Sequence, residues 1–502
     1  MKNLFIFCIS VFVLMNRLSA HPAAKNYLNT NDSTELPSSD YKVKVNGTER
    51  FVYMARVSAM PVNVWPGVKR PLQQTEIAAF CSFTSQPGNK VTVISAAKIE
   101  NVIIRPLSLG IQPVVKGNEI SFEITRPCQL VVEVNGWHKA LHLFVNPSAA
   151  PEKHNSSDLY FGPGLHFPGI IFAKSNQHII LDSGAVVFGA IYGRDIHDLS
   201  IGGSGVLDGS RLVRNVDTVN LIELINCKNV QVSGVVLRDA PIWTLMTYEC
   251  RDIRIDNIKI VGMWRYNSDG IDLVNSKDIV VENSFVRAFD DCLVIKGFHR
   301  SANPETPVWN ISDIVFRNCV VWNDWGRALE IGAETVADSI SHILYSNIDI
   351  VHFIHIALDI QNGNRAIVSD VKYEDIRIED PITENAYLDD LKDPILDISE
   401  VKNNPRNTKK FVQDDLGRLF VIEIQENGWV KDKSLGSVFD INYRNINYQS
   451  AWKPKSFFTG FSADHAIRNI RFENIQIQSL KITDGREAGF KTNEFVKDLI
   501  IQ

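Results

Sequence analysis

The chain has 502 residues, of which 45% are hydrophobic and 22% charged, and its formal net charge is −6. This is the composition of an ordinary globular protein that is long enough for two hydrophobic cores. The mild negative charge argues against the basic surface of a nucleic-acid-binding protein, so we expect no nucleic-acid partner.

The first 20 residues have the pattern of an export signal. Lys2 supplies a positive charge, residues 4–14 are apolar, and Ala20 is a small residue suited to cleavage. The apolar run is too short to span a bilayer, and no later stretch is long enough. We therefore expect a signal peptide at 1–20 and a secreted, monomeric protein, extracellular or periplasmic, that has no membrane span.

Residues 21–150 are predicted to form a small β-sandwich-like domain. Apolar and polar residues alternate between 41 and 146, as in the run 130–134, and turn residues such as Asn46-Gly47 interrupt the alternation. The polar stretch 147–158 is the expected linker to the next domain.

Six cysteines follow the expected signal peptide, and none lies in a CxxC pair or at a spacing typical of metal ligands. We therefore expect no metal and no cofactor. Cys81 with Cys128, and Cys227 with Cys250, are candidate disulfides. Buried thiols are the alternative for each of them.

A repeat follows the linker and continues through 151–502. Its unit is an Asp or Asn, an alternation of Ile and Val, and an Asn five positions later, as in 252–257 and 278–283. Units start at residues 252, 278, 313, 342 and 370. A period-two apolar pattern that recurs in this way buries one face of each strand against the next coil, about 4.8 Å away. We expect an all-β protein in which a right-handed parallel β-helix follows the sandwich.

Two other features of the repeat carry expectations. The recurrent Asn is predicted to form an inward ladder, since a buried amide needs stacked amides or backbone groups as partners. A charged insertion at 380–434 interrupts the repeat. It is interpreted as a solvated loop or, alternatively, as a flap over the groove.

Acidic residues cluster in two neighbouring coils, at 267–272 and 289–292. Adjacent side chains of a regular strand point to opposite faces, so Asp290 and Asp291 reach one groove only if the backbone bends there. Asp269 precedes Asp290 by about one coil. Two carboxylates about 5 Å apart repel by roughly 3 kcal/mol at an effective dielectric near 20, which raises one pKa by about two. One carboxyl then stays protonated beside a charged neighbour, as glycoside hydrolysis requires.

These motifs resemble the polygalacturonase family of glycoside hydrolases, glycoside hydrolase family 28, over about 162–480. Asn267-Ser268-Asp269-Gly270 is similar to its Asn-Thr-Asp-Gly element, Phe289-Asp290-Asp291-Cys292 to Gly-Asp-Asp-Cys, and 326–332 to Gly-His-Gly-Leu-Ser-Ile-Gly. The resemblance implies a β-helical hydrolase that inverts the anomeric carbon. It implies Asp290 as general acid, with Asp269 and Asp291 activating water. Strand spacing alone leaves inversion and retention open.

The chain departs from that family at two elements. The family's histidine position is Arg327, and its Arg-Ile-Lys element falls on Ala357-Leu358-Asp359. A uronate carboxylate would thus meet an acidic site without a basic pair. We therefore expect a polysaccharide or oligosaccharide substrate other than polygalacturonate.

Further residues near the three aspartates are candidates for substrate binding: Trp264, Tyr266, Lys296, His299, Arg327 and Glu330. Aromatic rings can stack on sugars, and charged groups can bind hydroxyls, whereas core packing and strand-face ion pairs are the structural alternatives.

Two other functions stay open at this point. A polysaccharide lyase would hold Ca²⁺ with the aspartates and abstract a proton with Arg327. A non-catalytic glycan-binding β-helix would have no need of crowded carboxylates.

Overall fold

The structure, a computed structural model, describes residues 34–59, 72, 75–86, 88–148, 157–214, 220–300, 307–380, 417–428, 430, 432–450 and 453–502. The expected signal peptide, most of the linker and residues 381–416 of the charged insertion lie outside this part of the chain. Within it, no helix is long and apolar enough to cross a membrane.

Ten strands form two five-stranded sheets near the amino terminus, in the orders β2-β1-β5-β8-β7 and β3-β4-β10-β9-β6. The strands are β1 (Tyr41–Val45), β2 (Thr48–Arg50), β3 (Tyr53–Ser58), β4 (Thr75–Thr84), β5 (Asn89–Ser95), β6 (Val102–Arg105), β7 (Val114–Lys116), β8 (Glu119–Ile124), β9 (Cys128–Val134) and β10 (Leu141–Asn146). A 3₁₀ turn covers Leu107–Leu109. Alternate apolar side chains of both sheets, among them Val43, Val91 and Leu143, are buried together between them. The predicted β-sandwich is confirmed.

The following strands wind as a β-helix. They are β11 (Leu159–Phe161), β12 (Gly164–Phe172), β13 (His178–Leu181), β14 (Ala185–Arg194), β15 (His197–Gly203), β16 (Val206–Asp208), β17 (Ile222–Ile225), β18 (Lys228–Ser233), β19 (Val236–Arg238), β20 (Leu245–Tyr248), β21 (Arg251–Asp256), β22 (Lys259–Val261), β23 (Ile271–Val274), β24 (Lys277–Glu282), β25 (Phe285–Ala288), β26 (Leu293–Gly297), β27 (Ile311–Arg317), β28 (Val320–Asn323), β29 (Arg327–Thr335), β30 (Ser339–His352), β31 (Ile356–Asn362), β32 (Ile367–Asp380), β33 (Arg418–Ile424), β34 (Ser437–Ser450), β35 (Lys455–Thr459), β36 (Ile467–Ile477), β37 (Leu480–Lys481), β38 (Phe490–Thr492) and β39 (Val496–Ile501).

These strands stack in three parallel sheets, one strand of each per coil. The first sheet runs through β13, β15, β18, β21, β24, β27, β30, β32, β34, β36 and β39. The second runs through β16, β19, β22, β25 and β28 and the later halves of the long strands that follow. The third runs through β17, β20, β23, β26, β29, β31, β33, β35 and β38. The predicted right-handed parallel β-helix is confirmed.

Identical positions of successive coils stack inside the β-helix. Phe316, Tyr345, Tyr373, Tyr443 and Phe472 form a column with ring centroids 4.8 to 4.9 Å apart and nearly parallel rings. This spacing is the distance between neighbouring strands of a sheet. Each coil therefore buries its side chains against the equivalent side chains of the next.

The recurrent Asn residues lie outside this core, so the predicted inward ladder is wrong. Asn283, Asn318 and Asn347 are exposed and have φ angles of 52°, 55° and 51°. The Asn318 amide donates to Asn283 Oδ1 at 3.2 Å, and the Asn347 amide donates to Asn318 Oδ1 at 2.8 Å. Asn tolerates positive φ better than other residues with a side chain, apart from Asp. The left-handed corner between the first and second sheets thus favours Asn, or Asp as at Asp375.

All six described cysteines are unpaired, so the candidate bonds Cys81–Cys128 and Cys227–Cys250 are not formed. Cys128 is half-buried and the other five are buried. The alternative of buried thiols describes this structure.

The β-sandwich packs on the second sheet of the β-helix. Phe80 and Phe144 of the sandwich share a buried apolar cluster with Phe285 and Trp322 of the β-helix, and the Phe144 and Phe285 rings lie 5.3 Å apart. Buried ion pairs also link the two parts, for example Arg105 Nη1 to Glu379 Oε2 at 2.7 Å. The third sheet, which lies outside this interface, carries the site described next.

Candidate active site

A cavity of about 810 Å³ opens on the outer face of the third sheet. Its lining includes seven of the nine predicted site residues: Tyr266, Asp269, Asp290, Asp291, Lys296, Arg327 and Glu330. Trp264 and His299 are not among the lining residues. The structure therefore brings together the three predicted catalytic aspartates in one depression.

The aspartates lie where the chain enters successive strands of the third sheet. Asp269 stands two residues before β23, and Asp290 and Asp291 stand just before β26. The Gly270 amide donates to Asp291 O at 2.7 Å, and Thr244 Oγ1 donates to Asp269 O at 2.7 Å. The Gly270 bond stacks the two acidic segments one coil apart, and the Thr244 side chain ties Asp269 to the preceding coil.

The backbone bends at Asp290 and Asp291, so that both carboxylates face one point. A Cβ placed on Gly326 would lie 2.6 Å from Asp290 Oδ1 and 2.7 Å from Asp291 Oδ1. The Asn323 amide group donates to Asp290 O at 2.7 Å and to Arg327 O at 3.3 Å, which holds this bend to the next coil. Consecutive residues of a regular strand could not converge in this way.

Two cations surround Asp291. Lys296 Nζ lies 3.3 Å from its Oδ2, the Arg327 backbone amide donates to its Oδ1 at 3.0 Å, and the Arg327 guanidinium lies 3.5 Å from that oxygen. Burial alone would favour the neutral acid. Lys296 and Arg327 outweigh burial and hold the pKa of Asp291 well below its usual range.

Asp290 has the opposite protonation behaviour. Burial and the neighbouring charge of Asp291 raise the pKa of Asp290 to about 8. Burial and the nearby carboxylates of Asp272 and Asp290 likewise raise the pKa of Asp269 well above its usual range. At neutral pH the cavity thus presents a charged Asp291 beside a protonated Asp290.

Besides the three aspartates at the strand entrances, the third sheet itself carries a row of acidic side chains. Asp272, Glu330 and Asp359 occupy equivalent outward positions of β23, β29 and β31, and all are buried. Burial raises the pKa of Asp359 to about 7 and those of Asp272 and Glu330 well above their usual range. Asp272 and Asp359 were not predicted as site residues. Only the strand phase and register show that they face the cavity side of the sheet.

Aromatic side chains border the cavity. Tyr266, Trp325 and Trp243 line it, and the Tyr266 and Trp325 rings lie 6.0 Å apart. Arg214 supports this border, since its guanidinium carbon lies 5.5 Å from the Tyr266 ring and its Nη2 donates to Asn267 Oδ1 at 3.1 Å. Arg214 comes from a loop more than 50 residues earlier, and nothing in the sequence pattern indicates it.

Trp264 and His299 were predicted to bind substrate, but neither lines the cavity. Trp264 is 5% exposed, donates from Nε1 to Asp239 Oδ1 at 3.0 Å and stacks under Arg265. Trp264 is therefore a buried packing residue and does not offer its ring to a substrate. His299 is half-buried and lies three residues beyond Lys296, outside the cavity lining.

The carboxyl-terminal part of the charged insertion contributes to the cavity. Residues 425–428 line it, and the Asn427 amide donates to Ala333 O at 2.9 Å. The flap interpretation for 381–416 falls outside the described residues. Among the residues that the structure describes, no group of three or more His, Cys, Asp or Glu side chains is arranged to hold a metal ion.

The site region matches a known enzyme family. Residues 183–390, which include all three aspartates, match the family described as glycosyl hydrolases family 28. This part of the chain is thus similar to that family.

Curated relatives are similar over part of their length. A dextranase from Arthrobacter sp. is 26% identical over 247 residues, which cover 43% of this chain and 34% of the dextranase. Probable exopolygalacturonase B from Aspergillus terreus is 25% identical over 217 residues, covering 36% of this chain and 45% of that protein. The chain thus spans about a third of the length of the dextranase.

Solved structures share the fold over most of the chain. Dex49A from Penicillium minioluteum has a TM-score of 0.58 at 13% identity and covers 94% of this chain and 95% of its own. A family 28 exopolygalacturonase from Yersinia enterocolitica has a TM-score of 0.51 at 13% identity, covering 82% of this chain and 96% of its own.

Proposed function

We propose that the protein hydrolyses a glycosidic bond in an uncharged glycan. One observation carries the proposal: Asp290 and Asp291 face the same point of the cavity, and their surroundings keep one protonated and the other charged. A neutral carboxylic acid beside a carboxylate is the pair of groups that this reaction uses. The family match and the names of the relatives support the same class of reaction.

The proposed step uses Asp290 as general acid. Its proton passes to the glycosidic oxygen while the bond between that oxygen and the anomeric carbon breaks. A water oxygen forms the new bond to the anomeric carbon, and its proton passes to the Asp291 carboxylate. Asp269 orients this water by a hydrogen bond. Proton exchange with solvent then restores Asp290 and Asp291.

We propose inversion at the anomeric carbon, because a water molecule rather than Asp291 is the nucleophile. Proton NMR of the reaction, recorded in its first minutes, identifies the anomer formed from a substrate of known configuration. Retention would assign Asp291 the role of nucleophile and overturn this part of the proposal.

The paired cations favour an uncharged substrate. Lys296 Nζ lies 3.3 Å from Asp291, 3.9 Å from Glu330 and 3.7 Å from Glu334, and Arg327 lies between Asp291 and Asp359. Neither cation is available to a substrate carboxylate without losing a buried partner. Since two of the relatives are named dextranases, dextran is the first glycan to test.

A panel of neutral and uronate polysaccharides tests the proposal, with Asp290→Asn as the matched inactive variant. We expect new reducing ends from at least one neutral glycan with the wild-type protein and none with the variant. Products that absorb in the ultraviolet would indicate a lyase instead. Binding without turnover, or equal turnover by Asp290→Asn, would contradict hydrolysis by these aspartates.

We also propose that the protein is exported and acts as a monomer. The charged start and apolar run of residues 1–20 support export. Amino-terminal sequencing of the secreted protein and light scattering in solution test the two statements.

A further inference from the structure

A chain of polar contacts leads from the third sheet to the proposed catalytic base. Gln361 Nε2 donates to Asp359 Oδ2 at 3.0 Å, and the same oxygen lies 3.4 Å from Arg327 Nε. The other end of the Arg327 guanidinium lies 3.5 Å from Asp291 Oδ1. Building on the proposed function, we propose that Asp359 is a positioning residue that fixes Arg327 against the catalytic base Asp291.

The strand register brings Asp359 to this position. It lies on β31 directly beside Glu330 of β29, while Arg327 begins β29. Asp359 is fully buried, and the cavity lining includes Arg327 but not Asp359. Asp359 therefore acts on the site through Arg327 and does not touch the substrate.

The Arg327 side chain needs such a partner. Its backbone amide donates to Asp291 Oδ1, but the guanidinium sits at the end of a long flexible side chain that loses rotamer entropy when it is held in one position. A buried carboxylate on the far side removes this freedom and leaves the Nη1 end directed at Asp291.

Arg327 in turn stabilises Asp359, because burying a carboxylate without a neighbouring cation is energetically costly. Asp359 Oδ1 has no hydrogen-bond partner among the described residues, and Asp359 Oδ2 contacts Gln361 and Arg327. Burial raises the pKa of Asp359 to about 7, and the nearby carboxylates Glu423 and Asp291 add to that rise. Arg327 opposes it most strongly and Arg418 opposes it less. The charge of Asp359 thus depends on Arg327.

Other titratable groups around Arg327 cannot replace Asp359. Glu330 lies 3.8 Å from Arg327 Nε, farther than Asp359, and burial raises the pKa of Glu330 well above its usual range. Burial and Arg327 lower the pKa of His355 well below its usual range, so it is neutral. Asp290 is the proposed acid and is protonated. Asp291 and Asp359 therefore share the guanidinium.

The test compares Asp359→Asn and Asp359→Glu with the wild-type full-length chain. In Asp359→Asn we expect kcat/KM to fall by about tenfold or more near pH 7.5 and by much less near pH 5, because Asp359, whose pKa is raised to about 7, is charged and holds Arg327 only at the higher pH. KM should change little, and Asp359→Glu should restore part of kcat. Glu379→Gln, which breaks the buried pair with Arg105 on the sandwich side, should lower the melting temperature without moving the profile.

A measurement without substrate keeps the inference separate from the proposed activity. Carbon-13 NMR of chain labelled at the Asp carboxyl carbon, with Asp291→Asn to assign the signal, follows the titration of Asp291. In the wild type we expect the Asp291 signal to shift near pH 7, where Asp359 ionises and its hold on Arg327 changes, and in Asp359→Asn we expect this step to be absent. An unchanged titration and pH profile in a folded Asp359→Asn chain would overturn the inference, whereas absence of hydrolysis by the wild type would overturn only the proposed function.

Discussion

Gly326 faces Asp290 across one coil so closely that a Cβ on Gly326 would stand 2.6 Å from Asp290 Oδ1. A carbon and an oxygen that are not bonded to each other do not approach this closely, so a side chain at position 326 would displace Asp290. The absence of a Cβ on Gly326 leaves room for the Asp290 carboxyl. We expect Gly326→Ala to push both Asp290 and Asp291 out of place and to lower kcat/KM at least about 100-fold.

A second glycine of the same cavity provides the matched control. A Cβ on Gly428 would meet nothing within 4 Å. We expect Gly428→Ala to retain kcat/KM within about twofold, since exposed substitutions away from contacts have small effects. Equal activity of the two variants would show that the carboxylates do not need this space.

Asp290→Asn should remove activity and stabilise the fold. Between the ordinary carboxyl pKa and its raised pKa of about 8, the folded protein keeps a proton on Asp290 that the unfolded chain releases. Ionisation in the unfolded state therefore lowers the free energy of unfolding as pH rises through this window. A neutral Asn removes that cost, so the melting temperature should rise by several degrees at pH 7 and by less at pH 4.

The exposed Asp338→Asn is the control for this substitution, because the Asp338 side chain is 78% exposed. It should leave both activity and melting temperature close to wild type. A lower melting temperature of Asp290→Asn at pH 7 would contradict the assignment of Asp290 as a buried neutral acid.

The pH profile of kcat/KM should be unusually broad. The active form needs Asp290 protonated and Asp291 charged, so activity should fall above about pH 8, where Asp290 loses its proton. On the acidic side it should fall only below the usual carboxyl range, since Lys296 and Arg327 hold the pKa of Asp291 low. Initial rates at low substrate concentration from pH 3 to 10 test both limbs. Activity that declines above pH 6 would be incompatible with these roles.

The exposed corner residues should matter for stability. Asn318 has a φ of 55°, which costs about 1–2 kcal/mol for an ordinary side chain but not for glycine. We expect Asn318→Ala to lower the free energy of unfolding by about 1 kcal/mol more than Asn318→Gly, because both lose the same amide contacts. Denaturant midpoints measure the difference. Equal midpoints would show that the hydrogen-bonded ladder, not the backbone conformation, selects Asn.

Much of the site follows from local sequence. Asp269, Asp290 and Asp291 stand in short motifs that the family shares, so their type and order were predictable without coordinates. Asp272 and Asp359 were missed, since their importance depends on which strand position faces outward and on which residues lie beside them in register. The Asn ladder was wrongly expected to point inward. A recurring Asn fits either a buried, hydrogen-bonded amide or a corner with positive φ, and the sequence pattern does not distinguish the two.

The sequence by itself determined that successive coils of alternating apolar residues would stack, and that three carboxyl groups would recur at neighbouring coils. Only the tertiary structure decided which of them carries charge. Protonation depends on burial and on the cations Lys296 and Arg327, which reach Asp291 from β26 and the start of β29. Electrostatic energies fall with the distance between charges and with their exposure to water. Both the distance and the exposure depend on the folded structure and cannot be read from the sequence.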